Sequence, residues 1–215
     1  MCRKLILHLN RSLIPHVKLQ LPQGPHDAYL FDCDGTIVDS MPLHYVAWQN
    51  VLAQWNCTFD EQHFYSLGGT PIAEIVSLLN EKHGLSMPIE AVCSRKEELY
   101  YELLPELKAI PEVLEHIHAQ HGRIPLAVVS GGTREAVTAS LNALQILDRF
   151  DLLVCAEDYK KGKPDPEAFL LAATRLGIAP ARCLVFEDTN LGIQAASAAG
   201  MPSVKIPPPW ERLTN

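Results

Sequence analysis

The chain has 215 residues, of which 47% are hydrophobic and 20% are charged, and its formal net charge is −7. These values are typical of a globular protein with one sizeable core and at most a small accessory domain, and they exclude a disordered or membranous chain. The negative charge argues against a nucleic-acid partner, which would require a basic surface. The six cysteines form no CxxC pair, so we predict neither a zinc site nor a redox motif and expect a cytoplasmic protein.

Residues 1–26 begin with a basic stretch but match no targeting signal. Polar residues at His8, Asn10 and Arg11 interrupt the apolar run, and no small-residue cleavage site follows. The interrupted run is a still poorer match to a membrane helix. We interpret residues 1–26 as an N-terminal extension without an assigned function, and we expect no membrane partner.

The first predicted strand is the apolar run Tyr29–Asp32, and a block that reads as helical follows it over residues 41–104. Helix starts are indicated at Ser40, Thr70 and Ser86, each a residue type that favours the N-cap position. Because no strand pattern occurs within this helical block, we expect an all-helical domain inserted after the first strand.

From about residue 107 the chain alternates between strand and helix patterns. Apolar runs without alternation predict strands that are buried on both faces, and the periodic segments between them predict helices. The predicted strands are Ile124–Ser130, Leu152–Ala156, Cys183–Phe186 and Ser203–Ile206, and the predicted helices are Arg134–Leu147, Pro166–Leu176 and Leu191–Ala199. We therefore expect an α/β fold, with a Rossmann-like doubly wound core over residues 27–40 and 105–215 and a helical domain over residues 41–104.

Reactive side chains follow the predicted strands. Ligands bind beyond the carboxyl ends of the strands in an open parallel sheet, so we expect these side chains to meet. They are Asp32 with Asp34, Ser130, the lysines of the stretch 160–163, and Glu187 with Asp188. Two acidic strand ends would repel each other unless a hard divalent cation such as Mg²⁺ lies between them. With a hydroxyl, a lysine and the backbone amides of Gly131 and Gly132 added, the cluster is suited to binding phosphate.

The arrangement resembles the haloacid dehalogenase superfamily over about residues 28–206. The motifs that carry the resemblance are DCDGT at Asp32–Thr36, VVSGG ending in Ser130–Gly132, KPDP at Lys163–Pro166 and FEDT at Phe186–Thr189. The resemblance implies that Asp32 is a nucleophile that forms an aspartyl-phosphate, and that Asp34 protonates the leaving oxygen and then deprotonates water. Dehalogenases proper and phosphonate-cleaving relatives lack a carboxylate at the position of Asp34, so its presence favours an oxygen ester as substrate.

The resemblance also implies a metal site and a phosphate site. Mg²⁺ would be held by Asp32, the backbone carbonyl of Asp34 and Asp188, with Glu187 either a further ligand or a neighbour of one. The residues implied to bind the phosphoryl group are Thr36, Ser130, Gly131, Gly132 and Lys163. Lys160 and Lys161 are alternatives to Lys163, although such a charge run is usually a solvated face, and the position directly before Pro164 favours Lys163.

The helical block resembles the small cap of the β-phosphoglucomutase-like branch of this superfamily, which closes over the site. The resemblance implies that His44 helps to position the catalytic acid, with an ordinary surface histidine as the alternative. Gly69 and Thr70, in the turn GGTP, would face the substrate. We expect Arg95 and Lys96 to lie on a solvated face, with contact to a substrate from the third helix of the block as the alternative.

The mutases of this branch carry an arginine at the cap turn, which grips the second phosphate of their bisphosphate intermediate. This sequence has Pro71 there, so we expect hydrolysis of the intermediate to be faster than the mutase reaction. The turn, and GIQAASAAGM at Gly192–Met201, are similar to those of bacterial fructose-1-phosphate phosphatases. We therefore predict a monomeric Mg²⁺-dependent phosphatase of a small sugar phosphate, such as fructose 1-phosphate. The alternatives are a β-phosphoglucomutase-like isomerase, an enzyme directed at nucleotide or glycolate phosphates, and an idle phosphate-sensing module, which would not need Asp34.

Overall fold

The computed structural model describes residues 19–212, and at its centre is a five-stranded parallel sheet in the order β3-β2-β1-β4-β5. The strands are β1 (Ala28–Phe31), β2 (Leu126–Val129), β3 (Leu152–Val154), β4 (Cys183–Glu187) and β5 (Ser203–Lys205). The helices are α1 (Met41–Leu52), α2 (Glu61–Ser66), α3 (Ile72–His83), α4 (Ile89–Leu103), α5 (Pro111–Gln120), α6 (Arg134–Ala143), α7 (Glu167–Leu176), α8 (Asn190–Ala198) and α9 (Pro209–Arg212). The predicted α/β fold with a parallel sheet is confirmed.

The two faces of the sheet are covered by different helices, as a doubly wound fold requires. On one face Tyr29 and Phe31 of β1 share a hydrophobic cluster with residues of α5 and α6. On the other face Ala28 and Leu30 pack with residues of α7 and α8, among them Phe169. All four residues of β1 are buried, which explains why the strand reads as a continuous apolar run rather than as an alternation.

The strand order places three carboxyl ends side by side. Strand β1 pairs with β2 on one side and with β4 on the other, and Phe31 is in register with both Val128 and Phe186. The amide of the next residue, Asp32, donates to the carbonyl of Phe186 at 3.0 Å. Residues directly after β1, β2 and β4 therefore emerge together at one edge of the sheet.

Helices α1 to α4 form the helical block between β1 and α5, and they have a hydrophobic cluster of their own. Its buried members include Trp48 and Leu52 of α1 and Val76 and Leu79 of α3. A separate core is what an independent accessory domain needs. The exact bounds of such a domain stay a prediction.

Two features of the helical block differ from the sequence-based prediction. Helix α2 was not predicted, and the expected helix start at Ser86 is wrong, because α4 begins at Ile89. The ring of Pro88 disfavours helical backbone at Met87, so the helix cannot start before the proline. Gly84, in the left-handed region with φ of 63°, separates α3 from this segment.

Helix α6 is shorter than predicted. It ends at Ala143, whereas the apolar spacing predicted a helix to Leu147. Gln145 has a φ of 57°, which a continuing right-handed helix cannot accommodate. The end of α7 agrees with the prediction, since Gly177 follows it with a φ of 70°.

Most of the predicted N-terminal extension, residues 1–18, lies outside the described residues. Leu19, which falls within the predicted extension, is buried in the cluster shared with α5 and α6. Within residues 19–212, no helix is both long enough and apolar enough to cross a membrane.

Candidate active site

A lysine whose side chain is only 9% exposed joins the carboxyl ends of β1, β2 and β4. The Lys163 ammonium donates to Asp32 Oδ1 at 2.6 Å, to Glu187 Oε2 at 2.7 Å and to the carbonyl oxygen of Val129 at 3.2 Å. Lys161, one of the alternatives from the sequence, is exposed and pairs with Asp165 instead. Of the candidate lysines, the structure therefore brings Lys163 to the predicted site.

This arrangement shifts the pKa values of the three carboxyl groups in different directions. Burial, with further contributions from Glu187 and Asp188, raises the pKa of Asp32 well above its usual range against the opposing charge of Lys163. Burial and the neighbouring Glu187 raise the pKa of Asp188 to about 7. Burial acts in the same direction on Glu187, but Lys163 and Thr189 outweigh it, so the pKa of Glu187 is lowered.

The acidic cluster fits a divalent cation. Carboxylate oxygens of Asp32, Glu187 and Asp188 lie within 4.8 Å of one another, and the Lys163 ammonium pairs with Asp32 and Glu187, so one cation serves a cluster of three acidic groups. Carboxylate oxygens are the donors that Mg²⁺ prefers. Gly35 keeps the space beside the cluster open, since a Cβ there would overlap the Asp188 carboxylate.

Two threonines hold members of the acidic cluster in place. Thr36 Oγ1 donates to Asp188 Oδ1 at 3.1 Å, and Thr189 donates its amide and its hydroxyl to Glu187 Oε1 at 2.8 and 2.7 Å. The resemblance implied that the Thr36 hydroxyl would bind a phosphoryl oxygen. In the structure its one proton is given to Asp188, so its contact is with a candidate metal ligand.

Asp34 lies in a separate network that includes residues of the helical block. Ser40 Oγ donates to Asp34 Oδ1 at 2.6 Å, and His44 Nε2 lies 3.4 Å from the same oxygen. Lys96 Nζ lies 2.9 Å from His44 Nδ1. Because an ammonium only donates, Nδ1 must accept and the imidazole proton must sit on Nε2, directed at Asp34. Ser40 therefore precedes α1 but serves Asp34 rather than capping the helix.

Within the Asp34 network, the pKa values of Asp34 and His44 are both lowered. Burial alone would raise the pKa of Asp34, but the hydrogen bonds from His44 and Ser40 and the charge of Lys96 bring it below its ordinary value. Burial and the Lys96 charge lower the pKa of His44, so the imidazole is held neutral. The expectation that Lys96 lies on a solvated face is wrong, since the residue is only 3% exposed. Arg95, in contrast, is exposed, as expected.

The loop after β2 lies beside Asp34. Ser130 is buried, and its Oγ accepts a hydrogen bond from the Gly132 amide at 3.0 Å, which leaves the hydroxyl proton of Ser130 free for another acceptor. A Cβ on Gly132 would lie 3.8 Å from Asp34 Oδ2. Tyr159 braces the loop by donating to the Ser130 carbonyl at 3.0 Å. The loop Ser130–Gly132 thus stands where the sequence predicted a phosphate site.

A cleft of about 1400 Å³ separates the helical block from the core, and Thr70 and Asp188 both line it. On the block side the turn Gly68–Pro71, here called the cap turn, approaches the start of α8. A Cβ on Gly69 would lie 3.6 Å from Leu191 Cδ1. Gly69 and Thr70 are therefore at the boundary between block and core, and that they face a substrate stays a prediction.

Some residues of the site have no signal in the sequence. Lys96 and Tyr100 join the Asp34 network only through the packing of α1 and α4, whereas Ser40 joins it from the segment directly before α1. The exception is Thr189, which follows the FEDT acidic pair directly and is the N-cap of α8. A serine or threonine immediately after an acidic strand end could have been predicted to hold the strand's last carboxylate.

Comparison with known proteins agrees with this geometry. The family described as haloacid dehalogenase-like hydrolase matches residues 29–206. Fructose-1-phosphate phosphatase YqaB of Escherichia coli is 37% identical over 178 residues, which cover 82% of this chain and 94% of that protein. A phosphorylated carbohydrates phosphatase of Thermotoga maritima is 32% identical over 81% of this chain and 82% of its own length.

A solved structure shows the same similarity at the level of the fold. The crystal structure of β-phosphoglucomutase from Clostridium difficile matches with a TM-score of 0.71 at 28% identity, and the match covers 83% of each chain. The family match spans β1 to the end of the sheet and includes every motif on which the prediction rested. The chain belongs to the haloacid dehalogenase-like hydrolase family, as its sequence predicted.

Proposed function

We propose that this protein is a Mg²⁺-dependent phosphatase that hydrolyses a small sugar phosphate through an aspartyl-phosphate on Asp32. The observation that carries the proposal is a pair of carboxylates, two residues apart, that have different hydrogen-bond partners. Asp32 lies 2.6 Å from the Lys163 ammonium, whereas Asp34 is held by Ser40 and His44. One carboxylate is thus placed to bond with phosphorus and the other to move a proton.

The metal would be held by Asp32, Asp188 and the backbone carbonyl of Asp34. Both oxygens of Glu187 already accept hydrogen bonds, from Lys163 and Thr189, so we assign Glu187 to holding Lys163. When bound, the cation supplies positive charge that reduces the repulsion between Asp32 and the phosphoryl oxygens.

In the first step an oxygen of Asp32 bonds to phosphorus while the bond from phosphorus to the sugar oxygen breaks. Lys163 offsets the negative charge of Asp32 and of the incoming phosphoryl group. The free hydroxyl proton of Ser130 is donated to a phosphoryl oxygen. Protonated Asp34 gives its proton to the leaving sugar oxygen and becomes a carboxylate.

In the second step the Asp34 carboxylate takes a proton from water, and the water oxygen attacks phosphorus. Phosphate leaves, Asp32 is restored as a carboxylate, and Asp34 is again protonated for the next turnover. The hydrogen bonds from Ser40 and His44 lower the pKa of Asp34 and so favour the carboxylate that this step requires.

A sugar phosphate is the favoured substrate class. Two of the relatives named above are phosphatases of phosphorylated sugars, and the Asp188 end of the cleft adjoins the cap turn. Pro71 in the cap turn supports hydrolysis over a mutase reaction, in which a second phosphate would have to be bound.

The proposal is tested with a panel of hexose, pentose, glycolate and nucleotide phosphates, with and without Mg²⁺. We expect Mg²⁺-dependent phosphate release, fastest from a hexose phosphate such as fructose 1-phosphate, and after rapid acid quench a phosphorylated peptide that contains Asp32. Absence of Mg²⁺-dependent hydrolysis across the panel would contradict the proposal. Formation of glucose 6-phosphate from β-glucose 1-phosphate faster than phosphate release would assign a mutase instead.

A further inference from the structure

The helical block and the core share a buried hydrogen bond that the mechanism above does not use. The Tyr100 hydroxyl lies 3.1 Å from Ser140 Oγ, and the two residues are 1% and 2% exposed. Tyr100 stands near the end of α4 in the helical block, and Ser140 stands on α6 of the core. A buried hydroxyl that loses its partner remains unsatisfied, so this bond fixes Tyr100 against the core.

The ring of Tyr100 also packs against the Asp34 network. It stacks on the His44 imidazole with the ring centroids 3.9 Å apart and the planes inclined by 21°. Lys96, one turn earlier on α4, binds the Nδ1 atom of the same imidazole. Two residues of α4 therefore hold His44 against Asp34, and one of them is anchored to the core.

The position of Tyr100 along the chain suits such an anchor. Helix α4 ends at Leu103, and the chain returns towards α5 through Leu104–Glu106. If the helical block rotates about its connections to the core, side chains near this return are displaced least. The bond to Ser140 can then persist while more distant parts of the block move.

We propose that Tyr100 is a positioning residue for proton transfer, which acts through His44 and is fixed to the core by Ser140. The inference rests on the function proposed above. Without the hydroxyl bond the Tyr100 ring is free to shift, the imidazole loses its fixed place beside Asp34, and protonation of the sugar oxygen slows. Attack by Asp32 on phosphorus should be unaffected, because Asp32 is held by Lys163 at the sheet edge.

The test compares kcat/KM for the preferred sugar phosphate with kcat/KM for p-nitrophenyl phosphate. This parameter includes only the steps up to phosphorylation of Asp32, and p-nitrophenolate leaves without needing a proton, so the ratio isolates proton transfer to the leaving group. Tyr100→Phe and Ser140→Ala should each lower the sugar-phosphate value about tenfold and the aryl value less than about twofold. The double variant should be no worse than either single variant.

Tyr45→Phe is the matched control. The Tyr45 hydroxyl donates to the carbonyl oxygen of Phe59 at 3.1 Å, a bond within the helical block, and its removal should leave the substrate ratio unchanged. Equal losses on both substrates, additive losses in the double variant, or the same ratio change in Tyr45→Phe would overturn the inference. A wild-type protein that hydrolyses neither substrate would overturn the proposed function and this inference with it.

Discussion

Asp32 and Asp34 stand two residues apart on one loop, yet their surroundings shift the pKa values of their carboxyl groups in opposite directions. Burial, against the opposing charge of Lys163, raises the pKa of Asp32. Asp34 is only partly buried, with its side chain 33% exposed, and hydrogen bonds from His44 and Ser40 outweigh the effect of burial and lower its pKa. The Asp32 partners all belong to the core, whereas the Asp34 partners include residues of the helical block. The position of the nucleophile is thus set by the core alone, and the state of the acid depends on how the block packs.

Asn substitutions should show the difference between the catalytic roles of Asp32 and Asp34 most clearly. Asp32→Asn should lower kcat/KM at least about 10⁴-fold on sugar and aryl phosphates alike, because the atom that bonds to phosphorus is gone. Asp34→Asn should lower the sugar-phosphate value about 10³-fold and the p-nitrophenyl phosphate value less than about tenfold, because only the first substrate needs a proton on its leaving oxygen. Steady-state kinetics on both substrates provide the measurement.

Asp148→Asn is the control for these variants, since this carboxylate is exposed and pairs only with its neighbour Arg149 among the ion pairs described. It should leave both activities within about twofold. If Asp34→Asn reduced the two substrates equally, the acid would have no role in expelling the leaving group.

Removal of Lys163 should destabilise the part of the site that lies in the core. Lys163→Met leaves the carboxylates of Asp32 and Glu187 buried without their shared cation, which should cost about 3 kcal/mol in the free energy of unfolding without Mg²⁺. The folded-state pKa values of these carboxyls then lie above their unfolded values, so the loss should grow as the pH rises from about 5 to 8. Urea unfolding at several pH values, with and without Mg²⁺, provides the measurement.

Lys161→Met removes an equal charge from an exposed site and should change the unfolding free energy by less than about 0.5 kcal/mol. Added Mg²⁺ should recover part of the stability that Lys163→Met loses and none of the small change in Lys161→Met. A loss in Lys163→Met that is constant with pH would show that the carboxylates are not the source of the cost.

Glycine substitutions should test the metal site by itself. Gly35 and Gly122 have φ values of 82° and 73°, so alanine costs about 1 kcal/mol of backbone strain at each. Only at Gly35 does the new Cβ overlap a side chain, the carboxylate of Asp188. Gly35→Ala should therefore weaken Mg²⁺ binding about tenfold or more in calorimetric titration, while Gly122→Ala should not. Equal affinities in the two variants would remove Asp188 from the proposed ligands.

The same contrast explains what the sequence could predict. The strands are apolar runs, and the reactive residues of the core follow them directly, so the sequence alone places Asp32, Ser130 and Glu187 at one edge of the sheet. Parallel pairing then fixes which residues meet. No comparable rule places Lys96 or Tyr100, because their contact with His44 depends on how α1 packs on α4.

The errors in the helical block have local causes. Helix α2 spans only six residues and buries one, Phe64, so its sequence carries almost no periodic signal. Ser86 has the type of an N-cap residue, but Pro88 moves the start of α4 beyond it. The charge of Lys96 predicts a solvated face, which is the usual outcome for a lysine, and the contact with the imidazole of His44 makes this residue an exception.

The smallest expected effect concerns Ser40, which ties the acid to the start of the helical block. Ser40→Ala removes the 2.6 Å hydrogen bond to Asp34 but leaves the His44 contact, so the pKa of Asp34 should rise towards its ordinary value. A higher pKa alone would favour the protonated acid, so the expected loss comes from the position of the carboxyl group, which the Ser40 bond fixes. We expect a loss of about threefold in kcat/KM for the sugar phosphate and almost none for p-nitrophenyl phosphate. Ser77→Ala removes a serine hydroxyl bond inside α3 and should change neither value. A tenfold or larger loss on both substrates would show that Ser40 helps to bind the phosphoryl group. It would contradict the assignment of separate roles to Asp32 and Asp34.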